Sequence, residues 1–300
     1  MGYALPRKDS PGMSLRINFN SASLSAQRAL SRTQDDYARS AQRISTGKRI
    51  NSAADDAAGL AVSTKLKAQI SGLNQAQKNV QDGINAIAIS EGALSQMHAL
   101  LSRMRELAVQ SATATVTDSD RAQSNAEFTA LSAEIDRLGT STAYASIKLL
   151  DGSATAFQLQ VGANGADTMT VEFPDARVSG IDSPVTPTAS PITNAAPGLA
   201  AATITDLTSA NGAIATLDGA IEVISAYRAS LGSMSNRLET TSDNLATAME
   251  NVSAANSRIE DADIASEMSE LVRTQILQQA GIAILSQANQ APQSVLKLLQ

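Results

Sequence analysis

Residues 66–108 have the sequence LKAQISGLNQAQKNVQDGINAIAISEGALSQMHALLSRMRELA, in which apolar side chains recur at alternating steps of four and three residues. Counting in these steps from Leu66 reaches Ala108 with apolar residues at most positions. A repeat that averages about 3.5 residues over roughly six heptads is typical of helices that pair in a coiled coil. The stretch therefore predicts one long helix with an apolar seam along one face. The apolar members of this first seam are Leu66, Ile70, Leu73, Val80, Ile84, Ile87, Leu94 and Leu101.

The last third of the chain repeats this pattern between Leu217 and Ile259. Polar residues interrupt the second seam at several positions, and polar groups at such positions can set the register and the partner of a coiled coil. A second long helix is therefore predicted here, and both seams are expected to serve assembly. Its apolar seam residues are Leu217, Ile221, Ile224, Leu231, Leu238, Leu245, Met249, Val252 and Ile259.

Helices are also predicted near both ends of the chain. In the first of them Leu30, Tyr37 and Ile44 recur at sevenfold spacing, and the pattern stops at Gly47, a residue type that commonly ends helices. The last helix, within residues 264–299, carries more apolar side chains than one partner helix can cover. An uncovered face of this kind is an apolar patch that monomers rarely carry. The terminal helices are therefore expected to need further partners.

The middle of the chain has shorter elements. A helix capped by Asp118 or Ser119 is predicted first. Residues 157–161 and 169–173 then alternate between apolar and polar side chains on either side of Gly-Ala-Asn-Gly, which predicts a β-hairpin. The inner face of the helix is expected to hold Phe128, Leu131, Ile135 and Leu138.

Two segments are predicted to lie outside the packed structure. Residues 174–200 hold five of the eight prolines among Ser, Thr, Ala and Gly, which predicts a short, exposed and variable segment. Residues 1–12 differ in composition from the residues after them, and three interpretations of this N-terminal extension stay open: a disordered segment, a remnant of cloning, or translation from an upstream start codon. The predicted fold class is mainly α, with long antiparallel coiled-coil helices from both ends of the chain and a small β-hairpin region.

The composition excludes several classes of function. The chain is 43% hydrophobic but only 3% aromatic, and its net charge of −6 comes from scattered acids and bases, so no basic face for nucleic acid is expected. No apolar run is long enough to span a membrane, and no apolar segment of a cleavable signal peptide is expected near the start. The absence of cysteine excludes disulfides and thiol chemistry.

No catalytic constellation is found. His98 is the single histidine, which excludes histidine-containing triads and most zinc sites, and it is interpreted as a packed or rim residue of the first seam. Residues 46–48 lack the remaining members of a phosphate-binding loop and are interpreted as a helix end. The acidic residues within 260–263 fit helix capping better than calcium binding. The chain is therefore predicted to be no enzyme and to hold no metal or cofactor.

Three segments carry a family likeness. They are INSAADDAAGLAVSTKL (50–66), SRMRELAVQSA (102–112) and RIEDADIASEMSELVRTQILQQAGIAILSQANQAPQSVLKLLQ (258–300). Together they resemble the bacterial flagellins, and the resemblance covers almost the whole chain from Met13 onward apart from residues 174–200. It is the likeness of a short flagellin that lacks large outer domains.

The resemblance implies a division into domains. Residues 13–57 with 259–300 would form an inner coiled-coil domain that lines a central channel. Residues 58–173 with 201–258 would form a surrounding rod domain that includes the hairpin, and residues 174–200 stand where relatives carry outer domains.

The resemblance also implies a function and a set of partners. The chain would be a secreted structural subunit that polymerises with itself into the extracellular flagellar filament, after export in an unfolded state by a flagellar type III apparatus. Its further partners would be an export chaperone and the hook-associated junction and cap proteins. Such assembly is heterologous, since each subunit places one patch on a different patch of its neighbour.

Innate immune recognition is a further implication of the family likeness. Arg103, Leu107 and Glu127 match the family's recognition site for a toll-like receptor, although contacts between subunits are an alternative role for Arg103 and Glu127. The C-terminal residues that match the end read by cytosolic flagellin sensors, with packing in the inner domain as their primary role, are Val295, Leu296, Leu298 and Leu299.

Two other functions stay open at this point. The hook–filament junction protein is a relative with similar ends that does not propagate, and the long match at residues 258–300 favours the filament subunit over it. A secreted adhesin, or an enzyme carried by residues 174–200, is disfavoured because this segment contains neither histidine nor cysteine.

Overall fold

The computed structural model describes residues 20–153, 157–182 and 198–298, with residues 182 and 291–298 described by their backbone alone. The predicted N-terminal extension and the centre of the predicted exposed segment lie outside these ranges. The elements in chain order are α1 (Ser21–Thr46), α2 (Ala57–Ser111), α3 (Asp118–Ser141), β1 (Ala143–Tyr144), β2 (Ile147–Lys148), β3 (Phe157–Gln160), β4 (Thr168–Val171), α4 (Val178–Asp182), α5 (Leu207–Glu260) and α6 (Ile264–Leu298).

The mainly α fold class is confirmed, and so are the predicted helices. α1 ends at Thr46, and the next residue is Gly47, whose φ of 70° lies in the left-handed region that glycine adopts without steric cost. The N-cap of α3 is Thr117, one residue before the predicted caps, and its hydroxyl accepts a hydrogen bond from the Asp120 amide. On the inner face of α3, Phe128 and Ile135 are buried, while the two leucines are half-buried against the core.

In the described ranges, two antiparallel hairpins accompany the helices. The predicted hairpin is confirmed, since β3 pairs with β4 in a register that places Phe157 opposite Val171. The pairing of β1 with β2 was not predicted, because its two-residue turn consists of Ala145 and Ser146 rather than of the asparagine and glycine that usually mark such turns.

The chain divides into two compact units. The first unit comprises the residues up to Lys65 and from Ala254 onward, and the second unit comprises Leu66–Ser253. The predicted domain borders lay at 57/58 and 258/259. The assignment of these units to the inner and rod domains of a filament stays a prediction.

One half of the first seam is buried in the second unit as predicted. Every seventh residue of α2 from Leu73 onward lies in the core. The alternate positions of the predicted seam are less buried, because Ile84 and His98 are half-buried while Glu91 and Arg105 are exposed. The buried row consists of Leu73, Val80, Ile87, Leu94, Leu101 and Ala108.

The second buried row of α2 is not the predicted one. It lies three residues beyond each member of the first row, whereas the prediction placed it four residues beyond. The prediction was wrong here because small residues, which a count of large apolar side chains overlooks, occupy part of this row. A Cβ at Gly83 would lie 3.3 Å from the Leu238 side chain and would overlap that of Leu159. The row consists of Ala76, Gly83, Ser90, Met97, Met104 and Ser111.

α5 shows the same shift by one residue. Ala220 and Tyr227, which lie three residues beyond Leu217 and Ile224, are buried, while the predicted Ile221 is only half-buried. The sevenfold row itself is buried as predicted, and it consists of Leu217, Ile224, Leu231, Leu238 and Leu245.

The remaining seam residues of α2 and α5 are half-buried. The fully buried members of both seams pack within the core of a single copy of the chain, and this core therefore already covers them. A part for the seams in contacts between subunits stays a prediction. The half-buried members are Leu66, Ile70, Ile84, Ile221, Met249, Val252 and Ile259.

The predicted exposed segment is packed at both of its described ends. Ala176, Val178 and Ile181 are buried after β4, and Leu199 is buried before α5. The prediction of exposure is therefore wrong for these four residues. The abundance of proline concealed the apolar side chains that anchor the ends of the segment in the core of the second unit.

Candidate assembly surfaces

α1 and α6 form an antiparallel pair in the first unit. The side-chain amide of Asn20 donates to the Ala288 carbonyl at 2.8 Å near one end of the pair. Arg43 donates to the Glu267 carboxylate at 3.0 Å near the other end. The approach between the helices is close in the middle, because a Cβ at Gly281 would lie 3.3 Å from the Leu30 side chain.

The first unit has very little hydrophobic core of its own. Among its described residues, Ile50 is the only hydrophobic residue that is buried. The predicted sevenfold residues of α1, namely Leu30, Tyr37 and Ile44, are half-buried. Burial of apolar surface is the main source of folding free energy, so the pair gains little stability from its internal contacts.

α6 instead exposes many of its large apolar side chains. Among the described side chains of α6, seven large apolar ones are 45–60% exposed, and Ile276 and Ile284 are the most exposed of these at 60% each. They differ from Leu271 and Leu285 of the same helix, which are half-buried. We call the exposed seven the outer apolar residues of α6, and they are Ile264, Met268, Val272, Ile276, Leu277, Ile282 and Ile284.

A cluster of polar side chains joins the chain segments where α1 ends and α6 begins. The Glu260 carboxylate is almost fully buried and accepts a hydrogen bond from the Ser63 hydroxyl at 2.6 Å. Its other oxygen lies 2.8 Å from the Lys48 ammonium group. Asn256 lies beside them, with its side-chain oxygen 2.8 Å from the Ser63 hydroxyl. We call these four residues the polar junction.

Backbone hydrogen bonds join the same segments beside the polar junction. The Arg49 amide donates to the Glu260 carbonyl at 2.7 Å. The Ala262 amide donates to the Gly47 carbonyl at 3.0 Å. The end of α1 is therefore connected to the start of α6 through the main chain as well as through side chains.

The acidic residues of this region have two different roles. Capping was predicted for them, and Asp263 does accept a hydrogen bond from the Ala265 amide at the start of α6. The role of Glu260 was missed, because only the fold brings Lys48 and Ser63 to it.

Ion pairs cross between α2 and α5 in the second unit. Arg105 donates to Asp218 at 2.5 Å, and the hydrogen bond from its guanidinium to this carboxylate raises the Arg105 pKa. Arg228 lies 3.6 Å from Glu91. Glu91, Arg105 and Arg228 occupy polar positions of the predicted seams, and the structure places them at the rim of the core. The two pairs occur in opposite order along α2 and α5, as expected for antiparallel helices.

The predicted receptor residues are only partly brought together on the surface. Arg103 donates to Glu127 at 3.0 Å across from α2 to α3, and both side chains are about half exposed. The Arg103 pKa is raised mainly by the hydrogen bond from Arg103 to Glu106 and, after that, by its hydrogen bond to Glu127. Leu107 is only 2% exposed, so it supports α2 from within the core rather than offering a contact.

The predicted sensor residues near the C-terminus are not described by their side chains. Val295, Leu296 and Leu298 belong to α6, which continues to Leu298, and Leu299 lies outside the described residues. The described part of the chain contains no group of acidic and histidine side chains arranged to hold a metal ion. None of the described helices combines the length and the apolarity that a membrane crossing requires.

Models of known protein families match both ends of the chain. The bacterial flagellin N-terminal helical region matches residues 17–155, and the bacterial flagellin C-terminal helical region matches residues 214–299. The chain belongs to the bacterial flagellin family. It is therefore a structural subunit that assembles with copies of itself into the extracellular flagellar filament, and it is not an enzyme.

Two of the similar flagellins match this chain over nearly their whole length. A flagellin from Halalkalibacterium halodurans is 45% identical over 95% of this chain and 99% of its own length. A flagellin from Listeria monocytogenes is 38% identical with the same two coverages. The structure of a flagellar hook-associated protein from Vibrio parahaemolyticus has a TM-score of 0.58 at 15% identity, covering 69% of this chain and 100% of that one. The last likeness is one of fold alone.

Proposed function

We propose that copies of this flagellin polymerise through the outer apolar residues of α6, so that the first unit obtains its hydrophobic core from neighbouring subunits. The observation that supports the proposal is the exposure of seven large apolar side chains on one helix of a unit that buries only Ile50 among its described hydrophobic residues. Packing between copies would remove these side chains from water, which stabilises by about 2 kcal/mol for each large side chain fully buried.

The proposal also gives a reason for assembly to be coupled to ordering of the terminal helices. An isolated α1–α6 pair gains little from its own contacts, whereas each copy that docks covers apolar surface on the next one. The ordering cost is then met at the growing end of the filament, where contacts are made. Contacts that do not close on themselves would extend the polymer indefinitely.

Substitution of Ile276 by Ser tests the assembly surface. Ile276 lies on α6 and is 60% exposed, so Ile276→Ser should leave the subunit folded. Loss of about 2 kcal/mol of burial per subunit contact should raise the critical concentration for seeded filament growth roughly thirtyfold. Sedimentation of polymer grown on filament seeds measures that concentration directly.

Ile276→Leu is the matched control, because it keeps the apolar area at the same position. It should polymerise at nearly the wild-type concentration, and circular dichroism should show equal helix content for all three subunits. Wild-type growth of Ile276→Ser would refute the assignment of this surface. A wild-type protein that binds hooks or seeds without elongating would instead indicate the junction protein.

We also propose that the chain is exported unfolded by a flagellar type III apparatus and meets an export chaperone and the hook-associated junction and cap proteins. Two features support export in this form. The sequence contains no cysteine, so no disulfide can obstruct threading, and the first unit has a small internal core that unfolds at little cost.

Recognition by a toll-like receptor is a second proposed function, and it rests on the exposed ion pair between Arg103 and Glu127. A guanidinium with both partners at the surface can exchange one carboxylate for another when a protein docks. The cytosolic-sensor proposal for Val295, Leu296, Leu298 and Leu299 rests on the family likeness alone.

Arg103→Ala tests the receptor proposal. We expect a loss of signalling of about tenfold in a reporter cell, which corresponds to about 1.4 kcal/mol and is the effect of removing an arginine that is a hot spot of an interface. Arg137→Ala is the matched control, because Arg137 is a similarly exposed arginine paired with Glu134 on α3. Equal responses to both variants would contradict the proposal.

A further inference from the structure

We propose that Asn164 is a site of spontaneous deamidation, and that the fold confines this reaction to one of two identical dipeptides. Asn-Gly occurs twice in the sequence, at 164–165 and at 211–212. Asparagine is among the chemically labile residues, and a following glycine favours the reaction because it has no side chain to obstruct the attack. The sequence therefore offers two candidates of equal intrinsic reactivity.

The reaction needs water as its only co-reactant. The glycine backbone nitrogen loses its proton and forms a bond to Cγ of the preceding asparagine. The bond from Cγ to Nδ2 breaks, and the amide nitrogen leaves as ammonia after taking up a proton. Water then opens the resulting five-membered succinimide at either carbonyl, which yields aspartate or isoaspartate at the former asparagine.

The loop between β3 and β4 leaves the backbone of the first dipeptide free to react. Asn164 and Gly165 are both exposed. Within the described part of the chain the Gly165 amide donates no hydrogen bond, so its nitrogen is not held away from the side chain. A Cβ at Gly165 would meet no atom within 4 Å, so no neighbouring group crowds this glycine on that side.

The second dipeptide is restrained by a helix. Gly212 lies in α5, where its amide is directed to the carbonyl of Thr208 in the helical pattern. Steric space at the Cβ position does not separate the two sites, because a Cβ at Gly212 would likewise meet no atom within 4 Å outside its own helix backbone. The helical backbone separates the two sites, because ring closure at Asn211 requires a turn of α5 to open.

Side-chain hydrogen bonds do not distinguish the two asparagines. The Asn211 side chain donates from Nδ2 to the Leu207 carbonyl at 2.9 Å. The Asn164 side chain likewise donates from Nδ2 to the Asp167 carboxylate at 3.1 Å. The difference in expected rate therefore comes from the glycine nitrogen. The Gly212 amide takes part in the hydrogen bonding of α5, whereas the Gly165 amide in the loop donates no hydrogen bond within the described residues.

Deamidation at Asn164 would disturb the contacts of its own loop. A new carboxylate at this position would face the existing carboxylate of Asp167. Isoaspartate would also lengthen the main chain of a loop that packs on α2. A Cβ at Gly72 would lie 3.0 Å from Ala163, and Asn79 donates to the Gln160 carbonyl at 3.0 Å.

Peptide mapping by mass spectrometry tests the proposal on the purified full-length chain. The folded protein is incubated in mildly alkaline buffer, and a second sample is incubated in a denaturing concentration of urea. In the folded sample we expect conversion at Asn164 to exceed conversion at Asn211 many-fold. In urea the two sites should react at similar rates, because the protection that α5 gives to Asn211 is lost.

Gly165→Ala is the matched variant, because the structure has room for its methyl group and no unusual backbone angle at this position. It should slow conversion at Asn164 several-fold and leave Asn211 unchanged, while Asn164→Asp supplies the product standard. Equal conversion at both asparagines in the folded protein would overturn the proposal. So would a Gly165→Ala variant that deamidates at the wild-type rate.

Discussion

For individual residues, side-chain size decides how the long helices pack. The large residues of the sevenfold rows fill the core of the second unit, whereas Gly83 in the neighbouring row provides the space that Leu159 of the hairpin and Leu238 of α5 occupy. Native cores are packed so densely that a change of one side chain is felt by its neighbours. A buried row is therefore defined as much by its small members as by its large ones.

Ile87→Asp tests the buried row of α2. Ile87 is 2% exposed, so an aspartate there would leave a cavity and an unpaired carboxylate in the core. We expect a loss of about 4 kcal/mol or more in the free energy of unfolding, measured by denaturant titration of the monomer.

Ala88→Asp serves as the control for this change. Ala88 is the next residue of the same helix and is exposed, so the same carboxylate there should cost less than about 1 kcal/mol. Equal effects of the two substitutions would show that helix propensity, rather than burial in the core between α2 and α5, determines the loss.

Among the helices and strands, Gly47 and Thr117 are usual end signals, whereas one turn departs from the usual pattern. The hairpin of β1 and β2 turns through Ala145 and Ser146, whose φ values of 45° and 72° lie in the left-handed region. Residues with a Cβ adopt this region at a cost, and hairpin turns of two residues favour asparagine followed by glycine. The turn is maintained by its surroundings, including the hydrogen bond from the Tyr144 hydroxyl to Asp82 at 2.9 Å.

Ser146→Gly should stabilise the protein. Glycine adopts a positive φ without strain, so the free energy of unfolding should rise by about 1 kcal/mol. Ser233→Gly is the control, since Ser233 is an exposed residue of α5, where glycine should lower stability by about 0.5 kcal/mol. Thermal melts of both variants show whether each substitution raises or lowers the stability. Destabilisation by Ser146→Gly would contradict the assigned turn.

Across the chain as a whole, the two ends depend on each other. α1 comes from the start of the chain and α6 from its end, and neither buries a large apolar side chain fully in their pairing, as far as side chains are described. Contacts between such distant segments form only after a long loop has been closed, which costs conformational entropy. The polar junction of Lys48, Ser63, Asn256 and Glu260 places a nearly buried carboxylate between these segments.

A double-mutant cycle on Lys48→Met and Glu260→Gln measures the strength of this junction. Because Glu260 is nearly buried, we expect a coupling free energy of about 2 kcal/mol between the two substitutions. Hydrogen exchange of α1 and α6 amides reports the effect locally. The exposed pair of Asp36 and Arg39 is the control, where coupling should stay below about 0.5 kcal/mol. A junction coupling no larger than that of the control would show that the ion pair does not hold the segments together.

Much of the fold could be predicted from local patterns. Gly47 ends α1, the Gly-Ala-Asn-Gly segment turns the hairpin, and the sevenfold rows of α2 and α5 are buried. The candidate surfaces were harder to locate. The family likeness grouped Arg103 with Glu127, but no local pattern indicated that Leu107 would be buried beside them, because burial depends on which face of α2 is covered.

Periodicity and end signals act over a few residues, so the amino-acid sequence was sufficient for the helical class, the two long seams and the excess of apolar surface in the terminal helices. Packing between distant segments selected the second buried row of α2 and α5, brought Lys48 and Ser63 to the Glu260 carboxylate, and drew the ends of the proline-rich segment into the core. These choices depend on the shape of partners far away along the chain. A repeat along one helix shows that a face will be covered, but not which side chains will cover it.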